Sequence, residues 1–121
     1  MKYIIDLIED IRETISNNAS YSVTAGLLKE DVNDSSKLIY AGEAALHTFV
    51  VDTERKVLQF SIDTKQKSLT IQALIPSLLI LDMEAMMYRL SIDVNSEYQN
   101  MEIVGFGKNE EQKRYILFIK I

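Results

Sequence analysis

Apolar residues recur at helical spacing from the start of the chain. Ile4, Leu7, Ile8, Ile11 and Ile15 fall on one arc of about 100° at 3.6 residues per turn. Asp6, Glu9, Asp10 and Glu13 fill the opposite arc. The spacing predicts an amphipathic helix over residues 2–16, ended at Asn17-Asn18, because Asn tolerates the left-handed conformation at helix ends.

The period then changes to two. Tyr21, Val23, Ala25 and Leu27 alternate with Ser22, Thr24 and Gly26, as a half-buried strand does. A polar loop follows over 29–36. Residues 37–45 are open to two readings: Leu38-Ile39-Tyr40 can begin a strand, or Ser35 can cap a short helix. Segments 46–51, 56–62 and 68–74 are rich in β-branched and aromatic residues and predict a three-strand meander. The turns are Asp52-Thr53-Glu54-Arg55 and residues 63–67.

Residues 77–89 predict a second helix that runs directly into a strand at 90–94. Leu78, Leu81, Ala85 and Tyr88 lie on one side, and Leu79, Ile80, Met83, Met86 and Met87 on the other. A helix apolar nearly all round must be covered on both sides. Segments 101–106 and 114–121 predict a closing hairpin. No internal repeat, linker or low-complexity tract is visible. The expected fold is therefore one α+β domain over 1–121. An antiparallel sheet of five to six strands, a central meander plus a C-terminal hairpin, carries the two helices.

Composition narrows the chemistry. The chain has 121 residues, no cysteine and one histidine. Disulfides are excluded, and zinc would need three carboxylates beside His47, an unusual ligand set. Gly105-Phe106-Gly107 begins like a dinucleotide loop, but Glu110 holds the third glycine position and a hairpin turn explains it better. Asp31-Val32-Asn33-Asp34-Ser35 starts like a calcium loop, yet Ser36 and Gly42 stand where Gly and Glu are required. Neither a catalytic site nor a cofactor or metal site is expected.

A net charge of −5 disfavours nucleic acid as a partner. The basic pairs Arg55-Lys56 and Lys113-Arg114 read as solvated turn charges. The N-terminus lacks a signal-peptide apolar core, and no stretch is long enough to span a membrane, so a cytoplasmic protein is expected.

What remains are surfaces. The acidic stripe Asp6, Glu9, Asp10, Glu13 suits a partner with a basic face. Met83, Met86 and Met87 make an adaptable apolar surface. These residues are the expected partner-binding set. The expected function is a non-enzymatic protein-binding module of the inhibitor, immunity or chaperone-like kind. A structural or assembly subunit acting through homo-oligomerisation is the alternative, and a small carboxylate-dependent enzyme a third. The helix–meander–helix–hairpin order resembles that of type III secretion chaperones, although their C-terminal helix has no counterpart here. The resemblance implies a chaperone role.

Overall fold

A computed structural model describes residues 2–15, 21–62, 69–94 and 99–121, with only the backbone of His47. The order is α1 (Ile4–Thr14), β1 (Ser22–Glu30), β2 (Leu38–Asp52), β3 (Val57–Ile62), α2 (Ile71–Leu79), one 3-10 turn (Ala85–Met87), β4 (Arg89–Asp93), β5 (Met101–Asn109) and β6 (Arg114–Lys120). The α+β class is as expected. The sheet is not antiparallel throughout: it is mixed, and its six strands close into a barrel in sequence order. β3 pairs parallel with β4, and β6 pairs parallel with β1, while the other four pairings are antiparallel. A parallel neighbour cannot be reached through a tight turn. The route from β3 to β4 therefore runs through α2.

α2 corrects the predicted layout. Segment 68–74 was expected to be the third strand of the meander, and 77–89 to be a helix. Instead the helix starts at Ile71 and ends at Leu79. Thr70 caps it, its hydroxyl accepting the Ala73 N–H at 3.2 Å. Ile71, Leu74 and Leu78 then fall at helical spacing and are buried. Pro76 sits on the exposed side. The remainder of the expected second helix is a turn in which the Asp82 carboxylate accepts the Ala85 N–H at 2.9 Å. The ambiguous residues 38–45 belong to one strand with 46–52, and the expected turns at 17–18 and 63–67 lie outside the described residues.

The absence of repeats expected from the sequence is also corrected. The barrel consists of two αβββ units of matching design. Leu46↔Ile62 and Phe49↔Phe60 in the first unit correspond to Ile103↔Ile119 and Phe106↔Leu117 in the second, with a bulge at the same place, His47 in one and Val104 in the other. The parallel seams match as well: Val57↔Arg89 and Leu58↔Leu90 against Arg114↔Ser22 and Tyr115↔Val23. Lys56 and Lys113 precede β3 and β6 at φ 55° and 52°. In each turn the residue ending the preceding strand, Asp52 or Asn109, accepts backbone N–H groups through its side chain.

The helices are anchored reciprocally. Ile4 N–H donates to the Tyr88 carbonyl (3.0 Å) and Leu90 N–H to the Lys2 carbonyl (3.0 Å). The counterparts are Ile71 N–H to Tyr21 (2.9 Å) and Val23 N–H to Leu69 (2.7 Å). Each unit thus fastens its helix to the first strand of the other. Ile4, Leu7, Ile8 and Ile11 of α1 join Ile71, Leu74 and Leu78 of α2 in one core with Val23, Leu58, Phe60, Leu90, Ile92 and Leu117.

Leu7 and Leu74 occupy equivalent positions, and both are fully buried. Leu7→Ala and Leu74→Ala should each destabilise the chain by about 2–5 kcal/mol, in one cooperative unfolding transition. Urea denaturation measures both, and a loss confined to one variant would show that the helices do not share a core.

Candidate functional surface

The methionine-bearing segment is where the fold departs furthest from its own rules. Leu79, Ile80, Met83 and Met87 are 54%, 85%, 89% and 61% exposed within nine residues of chain. The reason is local. α2 stops at Leu79, and the turn at 80–84 carries the chain around before Ala85 and Tyr88 re-enter the core. Met86 is half-buried and packs against the core. Met83 and Met87 are therefore surface residues of the single chain.

The acidic stripe divides into two kinds of residue. Asp6 accepts the Tyr3 N–H at 2.8 Å and so caps α1. Asp10 accepts the Tyr115 hydroxyl at 2.5 Å, tying α1 to β6. Glu9 and Glu13 are exposed. They share a shallow depression with Lys2, Asp6, Asp10 and Phe106. Since α1 contacts the 3-10 turn that carries Met86 and Met87, the acidic and apolar surfaces belong to touching elements.

Elsewhere the carboxylates singled out in the sequence serve local structure. Asp31 accepts the Asn33 N–H, and Asp34 accepts from the Ser36 N–H and hydroxyl. Gly105 and Gly107 lie within β5 rather than in a hairpin turn, so that expectation is corrected. A Cβ on Gly107 or on Gly26 would come within 2.7 Å of the Phe118 ring, which covers both glycines. Among the described residues, no group of three His, Cys, Asp or Glu side chains could hold a metal ion. No helix among them is long and apolar enough to cross a membrane.

The duplication also creates two related clefts beside the parallel seams. One is lined by Ser22, Thr24, Glu43, Ala45, Gln112 and Arg114, among others. The other is lined at the equivalent positions by Arg89, Ser91, Asn100, Glu102, Arg55 and Val57. In the first, the Glu43 carboxylate accepts the Thr24 hydroxyl at 2.8 Å and meets Arg114 Nη1 at 2.8 Å. In the second, Asn100 replaces Glu43 and accepts Arg55 Nη2 at 2.6 Å. Sequence reading passed over Arg89, Ser91 and Asn100. Their signal was the pairing of Thr24 with Ser91, visible only once the two units are aligned.

No family model, no curated protein and no solved structure matches this chain. Its reading therefore rests on its own geometry.

Tyr115 supplies a pH test of the α1–β6 tie. Burial first, then its hydrogen bond to the Asp10 carboxylate, push its phenol well above the ordinary value of 10.0. The folded chain keeps this proton at a pH where the unfolded chain releases it. The stability contributed is fully present below about pH 10 and is lost as pH rises beyond it. Tyr115→Phe should cost about 2 kcal/mol at neutral pH, the scale of a hydrogen bond to a charged group. It should also lose less stability than the wild type between about pH 7 and about pH 10.5. Equal alkaline losses in urea denaturation would contradict the tie.

Proposed function

We propose that this protein is a non-enzymatic binding module that docks another protein on the Leu79–Ile80–Met83–Met87 surface. The observation that carries the reading is the exposure of these four large apolar side chains on a barrel whose core is otherwise closed. Such groupings mark interaction sites. Methionine favours an adaptable contact, since its unbranched chain can repack against different shapes. Glu9 and Glu13, exposed on the adjoining helix, favour a partner with a basic rim around an apolar centre.

The interior supports binding over catalysis. Phe60, Leu46, Leu58, Ile92, Ile103 and Leu117 are each wholly buried and belong to the one core, so side chains fill the barrel. Self-association through the same surface is the form that an assembly role would take.

Met83→Glu with Met87→Glu should leave the unfolding free energy within about 0.5 kcal/mol of wild type, because both side chains are largely in water. The same pair should abolish cross-linking to a partner through a photoreactive residue at Ile80. Sedimentation of the purified chain separates the two forms of the reading. A dimer dispersed by the double substitution assigns the surface to self-assembly, and a monomer that cross-links a distinct protein assigns it to docking. A monomer that cross-links nothing at Ile80 would overturn both.

A further inference from the structure

The two clefts share a backbone framework, with Arg55 and Val57 at the positions of Gln112 and Arg114, and one of them already holds an oxyanion. The Glu43 carboxylate lies between the Thr24 hydroxyl and the Arg114 guanidinium, each at 2.8 Å. It is a built-in ligand that completes the site from within the chain. In the equivalent cleft that carboxylate is missing, because Asn100 stands in its place. Ser91, the counterpart of Thr24, is 6% exposed. Its hydroxyl is buried without a hydrogen-bond partner. A buried hydroxyl left unpaired forfeits a hydrogen bond and is rare in folded proteins.

The second cleft also carries cationic groups. Arg55 and Arg89 both line this cleft. Arg55 is hydrogen-bonded to neutral acceptors, Asn100 Oδ1 at 2.6 Å and Gln59 Oε1 at 3.5 Å. Among the described residues, Glu102 is the carboxylate that lines the same cleft. The opposite cleft also has an unpaired buried atom, Arg114 Nε, but its guanidinium is already engaged by Glu43.

We infer that the Arg55–Arg89–Ser91–Asn100 cleft binds a small oxyanion, a carboxylate or a phosphate group, in the place that Glu43 fills in the other half. The volume of about 190 Å³ suits one such group rather than a large ligand. Guanidiniums supply planar, charge-assisted donors to either chemistry. The Ser91 hydroxyl supplies a further donor at the floor of the cleft. This site is independent of the apolar docking surface.

Amide NMR titration with inorganic phosphate, and separately with acetate, at constant ionic strength in chloride tests the inference. Saturable shifts at Arg89, Ser91 and Asn100 are expected with at least one anion, and the tighter of the two names the class. Arg89→Gln should weaken binding about tenfold or more, as expected for a charge-assisted contact. Ser91→Ala should weaken it while leaving the fold intact, since it removes a hydroxyl that has no partner. Lys120→Gln, an equal loss of charge at a site paired with Glu30, should leave the affinity unchanged. Shifts that never saturate with either anion would overturn the site. So would equal weakening by Arg89→Gln and Lys120→Gln, or an unchanged affinity in Ser91→Ala.

Discussion

Each helix of this barrel is fastened to the half of the chain it does not belong to, and the closure of the sheet depends on that exchange. Residues 2–4 run beside 88–90, and residues 69–71 run beside 21–23, through two pairs of backbone hydrogen bonds of the same kind. These contacts hold the starts of β4 and β1 against β3 and β6. Neither three-strand meander could remain open without leaving two edges unpaired. Joining the halves through two parallel seams removes every edge at once. The arrangement has the logic of a symmetric dimer in which each surface meets its equivalent, here within one chain.

A duplicated framework makes differences between the halves informative. The core positions are conserved in character: Leu46 against Ile103, Phe49 against Phe106, Tyr21 against Tyr88. The surfaces are not. The first half extends β1 and β2 into a two-stranded arm beyond Leu28, where Leu38, Ile39 and Tyr40 are exposed. The second half exposes Leu79, Ile80, Met83 and Met87 after its helix. One cleft is closed by Glu43, while the other presents Arg55 and Arg89 around an unpaired hydroxyl. Packing explains what the halves share, and the proposed binding roles rest on where they diverge.

The legible parts of the sequence were those with one clean period and a local turn. The stripe of α1 gave its helix, the Asp52–Arg55 turn gave the β2–β3 hairpin, and segments 101–106 and 114–121 gave the closing one. α2 was obscured because Leu69, Ile71 and Ala73 also satisfy a two-residue period, and Pro76 argues against a helix. Only the register of Ile71, Leu74 and Leu78 on a formed helix decides between the two. The duplication was hidden by sparse identity, chiefly Ile4 with Ile71, Leu7 with Leu74, Ile8 with Ile75, Phe49 with Phe106 and Lys56 with Lys113. The extra length of the β1–β2 arm changes the spacing midway and breaks any single offset. Parallel pairing leaves no local mark either, because its partners are far apart in the chain. Of the expected docking residues, Met83, Met87, Glu9 and Glu13 are exposed, whereas Asp6 and Asp10 also carry structural hydrogen bonds that no spacing rule reveals.

The claim on which the rest stands is that two αβββ units close one barrel through matched seams and exchanged helix anchors. Native-state hydrogen exchange at single amides addresses it directly. The account predicts strong and closely similar protection for Ile4 and Ile71, for Val23 and Leu90, and for the seam amides of β3 and β6, all opening with the global unfolding free energy. Fast exchange along β6 or β3, as at the free edge of an open antiparallel sheet, would contradict it.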